Sequence, residues 1–300
     1  MSADNNTMMF CASCGTAGSD DIKLKICTAC HLVKYCGIEC QKEHRPKHKK
    51  ECKKRAAELR DEILFKQPES SCFGDCPICC LPLPIDQLKT TMYVCCSKYI
   101  CQGCDYANLI REREGRLQQK CPFCRKIVPD TDEEINERCL KRIEANDPVA
   151  MCQMGGQTHL EGDYKSAFDY WTRAAALGDA MAHFELSCLF REGKGIEKDE
   201  KKARHHAEQA AIAGHPIARY NLACFEGPFR TDRAVKHFTI AAKLGYDKSL
   251  ESLKDLYEVG IVSEEDFAAA LRGHKAAIDA TKSPQREEAV EFHKRLAEHK

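Results

Sequence analysis

The sequence predicts a multidomain chain: two small cysteine-rich fingers with little α/β structure, followed by an all-α helical-repeat solenoid. Three observations predict it. Seventeen of the 21 cysteines precede residue 125, and the remaining 176 residues hold only four. Downstream, an alanine-glycine pattern recurs, closing at Gly178, Gly214 and Gly245. The length, 300 residues, suits two or three domains.

Composition narrows the class of partner. With 46 Lys+Arg against 46 Asp+Glu the formal charge is zero, so no polyelectrolyte partner is implied. Mean hydropathy is −0.50, and no apolar run approaches the ~18 residues of a membrane span. The opening stretch, residues 1–10, has neither a basic start nor the apolar core of a secretory signal. The expectation is therefore a cytoplasmic and/or nuclear protein without a membrane segment. In those compartments dense paired cysteines mean metal rather than disulfides.

The first block reads Cys11-x2-Cys14, Cys27-x2-Cys30, Cys36-x3-Cys40 and His48-x3-Cys52. These are four chelating pairs, enough for two tetrahedral zinc sites. Short gaps let both thiolates of a pair reach one ion at ~2.3 Å, and their softness selects zinc over hard cations. His48 and Cys52 stand one helical turn apart on one face; His44 is the competing ligand. The run "CTACHLVKYCGIECQKEHRPKHKKEC" resembles the MYND-type zinc finger, placed at 11–52. The resemblance implies interleaved ligation: Cys11, Cys14, Cys36 and Cys40 on one zinc, Cys27, Cys30, His48 and Cys52 on the other. It also implies binding of short proline-containing peptides, although Arg45-Pro46 stands where the family has a tryptophan. Residues 41–55 carry eight Lys/Arg against two Glu. A solvated helix face is the reading there, and nucleic acid is not the expected partner. A helical linker is expected at 53–71.

The second block comprises Cys76-x2-Cys79, the adjacent Cys95-Cys96, Cys101-x2-Cys104 and Cys121-x2-Cys124. Its three two-residue pairs are a zinc signal, and its spread over residues 72–128 resembles a RING-type finger. Lys98 occupies the place of the usual histidine, so the resemblance is to the all-cysteine variants. It implies that Cys76, Cys79, Cys101 and Cys104 hold one zinc, while Cys95, Cys96, Cys121 and Cys124 hold the second. Cys80 is the substitute for Cys95. The same resemblance implies that Ile78, Pro122 and Arg125 contact a ubiquitin-conjugating enzyme; Asn108 stands where a bulky apolar anchor is usual. Such fingers make no bonds themselves but position a charged thioester. Four zinc ions in all would supply folding energy that these small cores lack, on the order of 10 kcal/mol per site.

From Thr131-x-x-Glu134, a capping box, the texture is helical. Three stripes follow one spacing: Ala167, Trp171, Ala174, Ala175; then Ala203, Ala207, Ala210, Ala211; then Ala234, Phe238, Ala241, Ala242. Each closing glycine, like Asn146 earlier, falls where a left-handed helix cap belongs. Units of this kind bury their apolar faces only by stacking. "REGKGIEKDEKKARHHAEQAAIAG" (191–214) resembles Sel1-like, TPR-related repeats, assigned to 132–260, with capping helices at 261–300. His205, His206 and His237 are expected at surfaces or helix interfaces.

No Ser/His/Asp or paired-carboxylate constellation occurs. The modules together imply a zinc-binding protein-interaction adaptor with RING-type ubiquitin ligase activity. In that reading the MYND finger and repeats recruit partners, the repeats an unspecified client. The alternative is a non-enzymatic scaffold of the same modules.

Overall fold

The fold is a computed structural model that describes residues 9–227 and 229–298. The chain forms two compact units dividing between Lys66 and Gln67.

In the first unit, Phe10 and Ala17 close a β-bridge. Strands β1 (Lys25–Ile26) and β2 (Lys34–Tyr35) then pair antiparallel, Lys25 opposite Tyr35 and Ile26 opposite Lys34. Helix α1 (Ile38–Leu64) follows, roughly 40 Å long at 1.5 Å per residue. It runs straight through residue 52, so the expected finger boundary falls inside one helix. Of the linker expected at 53–71, residues 53–64 are the second half of α1 and the rest is not helical. Pro46 lies within α1 without ending it. It is exposed, as is Lys42, so the carbonyl deprived of an N–H partner is left to water.

The second unit begins with a finger. Asp75 bridges Pro82, a single 3-10 turn spans Gln87–Lys89, and a hairpin of β3 (Thr90–Tyr93) and β4 (Lys98–Cys101) leads into α2 (Gln102–Glu114). The hairpin register pairs Thr90 with Cys101 and Tyr93 with Lys98. Helices α3 (Asp132–Glu144), α4 (Pro148–Leu160), α5 (Tyr164–Ala176), α6 (Ala180–Glu192) and α7 (Glu200–Ile212) come next. They are followed by α8 (Pro216–Glu226), α9 (Thr231–Lys243), α10 (Asp247–Glu258), α11 (Glu264–Ala280) and α12 (Pro284–Glu298).

Side-chain caps start these helices. Thr131 accepts from the Glu134 N–H, and Asp147, Asp163, Asp179 and Asp199 do the same at the heads of α4 to α7. The ends are set by left-handed residues: Asn146 (φ 57°), Gly178 (87°), Gly214 (87°) and Gly245 (93°). Helices pack as the hairpins α4/α5, α6/α7 and α8/α9, with α5 on α6 and α7 on α8 between them. The stripe alanines Ala167, Ala174, Ala203, Ala210, Ala241 and Ala242 are fully buried, which allows close helix approach. Gly155 in α4 extends this: a Cβ there would lie 2.6 Å from the Trp171 ring, whose Nε1 donates to the Cys152 carbonyl at 3.2 Å.

One expectation needs correction. The segment 261–300 does not close the solenoid as a whole. Helix α11 packs on α9 and α10, but α12 turns away and packs on α2 of the second finger. Of the histidines expected at surfaces or helix interfaces, His237 is fully buried between helices, close enough to Arg219, Arg233 and Arg204 to feel their charge. His206 also sits at a helix interface, its Nδ1 3.0 Å from that of His183.

Candidate metal centres

Two kinds of backbone present the ligands. In the first kind, a tight knuckle, the residue four after the first cysteine donates its N–H to that cysteine's carbonyl: Gly15 to Cys11, His31 to Cys27, Cys80 to Cys76 and Arg125 to Cys121, each at 2.8–2.9 Å. All four donors adopt positive φ, between 57° and 72°. This geometry turns both sulfurs of a C-x2-C pair to one side. It also assigns Cys80: it is the left-handed closing residue of its knuckle and exposed, so it does not replace Cys95. In the second kind, helices carry the pair. Cys40, His48 and Cys52 lie on α1, and Cys101 and Cys104 at the head of α2. Cys95 and Cys96 sit in the β3–β4 turn, where Ser97 donates to the Tyr93 carbonyl.

The side chains converge on four clusters: Cys11/Cys14/Cys36/Cys40, Cys27/Cys30/His48/Cys52, Cys76/Cys79/Cys101/Cys104 and Cys95/Cys96/Cys121/Cys124. Within each, all ligand atoms lie within 4.8 Å of one another. The sixteen residues singled out in the sequence are the sixteen brought together here, in the interleaved order. Sulfur–sulfur distances include 3.6 Å for Cys14–Cys36, 3.8 Å for Cys27–Cys52, 3.7 Å for Cys79–Cys101 and 3.8 Å for Cys96–Cys121. A tetrahedron with ~2.3 Å metal–sulfur bonds has edges of about 3.8 Å. A disulfide would need ~2.05 Å. The donor set and its spacing fit zinc, one ion per cluster.

His48 points Nε2 at Cys30 Sγ, 3.1 Å away. His44 is not in the cluster; it stacks on His48 with ring centroids 5.6 Å apart, and its Nδ1 meets the Tyr35 hydroxyl at 3.1 Å. It orients the ligand ring from behind. Sequence spacing could offer His44 only as a rival ligand, because a supporting role leaves no spacing signal.

Proton affinities within the clusters are split. Burial works to raise Cys11, yet the N–H groups of Cys14, Cys36 and Ser13 bring it down to about 6. Cys76 falls to about 4, first through the Cys101 thiol and then through backbone N–H donors, against burial. Cys40 is pushed up to about 12 by its Cys36 and Cys14 neighbours, and Cys104 to about 12, chiefly by burial. Each incoming ion must displace the protons of such raised thiols, so binding releases protons.

Comparison with known proteins identifies two modules. Residues 11–52 match the MYND finger, and residues 148–179, 180–215 and 216–246 match the Sel1 repeat. The chain carries a MYND finger and three Sel1 repeats. Each Sel1 repeat is one helix hairpin, α4/α5, α6/α7 or α8/α9, so the matched array spans less than the 132–260 expected from the stripes. An uncharacterized protein of Neisseria meningitidis serogroup B is 31% identical over 115 residues, which are 38% of this chain. The chain spans a quarter of that relative's length. Among solved structures, a Sel1 repeat protein from Oxalobacter formigenes is 22% identical with a TM-score of 0.44, covering 60% of this chain and 72% of its own. The protective antigen c5321 of uropathogenic Escherichia coli, which displays an SLR fold, is 20% identical with a TM-score of 0.39, covering 65% and 41%. MYND fingers and Sel1 repeats are protein-interaction modules, and the chain joins both to four clusters whose ligands fit zinc.

Proposed function

We propose that the chain is a protein-interaction scaffold and also a ubiquitin ligase, with residues 72–128 acting as an all-cysteine RING-type finger in the cytoplasm and/or nucleus. The observation that carries this reading is the cross-braced grouping of the second block, in which the first and third cysteine pairs share one cluster and the second and fourth share the other. Around it stand the three residues that the RING resemblance implicates. Ile78 is 42% exposed on the first knuckle, Pro122 is half-buried on the last, and exposed Arg125 closes that knuckle. Arg125 Nη1 reaches Asn108 Oδ1 at 3.4 Å; its planar donors suit bridging two partners. The proline-containing peptide is the ligand proposed for the MYND finger, and a client protein for the repeats.

One observation favours the non-ligase scaffold. Asn108, in the place of the apolar anchor, is buried and donates to the Lys120 carbonyl at 3.0 Å, so it offers a conjugating enzyme nothing to grip. The test is ubiquitin discharge from a panel of conjugating enzymes by the full zinc-loaded chain. Discharge that drops about tenfold or more in Ile78→Ala and Arg125→Ala supports the ligase. No discharge with any enzyme, or undiminished discharge in both variants, leaves the scaffold.

A further inference from the structure

Arg286, in the first turn of α12, is 9% exposed. Its Nη1 donates to the carbonyls of Pro82 (2.7 Å) and Thr281 (2.8 Å), and its Nη2 to the carbonyl of Leu81 (3.2 Å) and to Cys79 Sγ (3.4 Å). Leu81 and Pro82 belong to the first knuckle of the second finger, about two hundred residues earlier. Burying a guanidinium demands a counter-charge. Among the described residues no carboxylate pairs with Arg286, and the anionic group that it touches is a thiolate of the Cys76/Cys79/Cys101/Cys104 cluster. Four thiolates around one divalent zinc carry a net charge of about −2.

The neighbouring contacts are built for the same approach. Gly103, inside the Cys101-x2-Cys104 pair, would place a Cβ 2.8–2.9 Å from the Cγ, Cα and N of Arg286. Only a residue without a side chain lets α2 and α12 meet there. Farther along, Tyr106 and Phe292 pack with ring centroids 4.8 Å apart, and Ala289 is fully buried. Gln285 stands beside Arg286, its Oε1 4.0 Å from Cys104 Sγ.

We infer that Arg286 completes the Cys76/Cys79/Cys101/Cys104 zinc site from α12, and that this helix is a clamp retaining that one ion. Arg286 offsets the negative charge of the site, orients Cys79 and ties its knuckle to α12. Donors outside a ligand set commonly change metal affinity 10–100-fold. The clamp belongs to one site of four, so its loss has a stoichiometric signature.

The experiment loads the full chain with zinc and follows release to a colorimetric chelator, with alkylation and mass spectrometry reporting which cysteines become reactive. Arg286→Met keeps the packing of the stem but removes donors and charge. It is expected to convert one of the four equivalents to release about 10–100-fold faster, with Cys79 and Cys104 alkylated first. Gly103→Ala, which forces α12 away without altering a ligand or Arg286, is expected to give the same single fast equivalent, while Arg286→Lys falls between. Native-like release from both Arg286→Met and Gly103→Ala would overturn the clamp. So would acceleration of all four equivalents alike, since that marks general unfolding.

Discussion

The MYND finger and the Sel1 repeats solve the burial problem in opposite ways. In the finger the buried cluster is Cys11, Cys27, Cys30, Val33 and Tyr35, so most of its interior is ligand sulfur. In the repeats, alanines, leucines and Trp171 fill the interior, and among the described residues no metal-ligating cluster lies there. One region trades apolar area for coordination bonds, while the other multiplies a helix hairpin until each covers the next. The comparison teaches that a single chain can combine interiors that respond to different insults.

The sharpest way to break the comparison is chelation. Removing zinc withdraws on the order of 10 kcal/mol per site, and the MYND finger is expected to lose its ordered amide resonances. Trp171 is the single tryptophan and lies within the repeats, so its fluorescence should be nearly unchanged. A loss of that signal in parallel with the finger would show that the repeats, too, depend on metal.

Acid is the complementary insult. Burial holds His215 down to about 4. Burial also holds His206 at about 4, helped by His183, His205 and Lys202. His237 falls to about 3 through burial and the nearby arginines. These rings are neutral in the folded repeats but take protons near pH 6.5 once unfolded. Their contribution is therefore intact above pH 6.5 and is lost as pH falls from there toward 4 and 3. Several kcal/mol of destabilisation by pH 4 are expected, read as a falling thermal midpoint of Trp171 fluorescence. A midpoint flat across that window would contradict the buried histidines.

Gly155→Ala acts on the repeats alone. Its methyl must displace the Trp171 ring, and overpacking of this kind costs about 1–3 kcal/mol. Thermal unfolding should register this, with zinc content still at four. The smallest effect is expected from His44→Ala beside His48→Ala. The first should retain four zinc ions with weaker binding at one site, whereas the second should drop to three. Equal loss in both variants would restore His44 as a ligand.

The contrast also explains what was legible in the sequence. Ligand spacing singled out the knuckle and helical-turn pairs, because each is a local device with a local signature, whereas Cys95 and Cys96 came with the RING likeness. The interleaving came from family likeness, since spacing does not say which pairs share an ion. The left-handed caps at Asn146, Gly178, Gly214 and Gly245 were legible for the same local reason. What escaped was long-range. Nothing around Arg286 announces a sulfur more than two hundred positions away, and a lone histidine in an amphipathic stripe does not declare whether, like His237, it faces the interior. The continuity of α1 was half legible: a helical turn was expected at His48 and Cys52 and a helical linker from 53, but no local signal joined the two into one helix.

The reach of Arg286 also imposes an order of events on synthesis. As the nascent polypeptide leaves the ribosome, the MYND finger has all its ligands once Cys52 emerges. The Cys76 cluster must wait through the making of every Sel1 repeat before its last donors arrive. Until then its thiolates stand half-dressed, open to oxidants and to competing ions, so quality control of the second finger falls after the repeats are made.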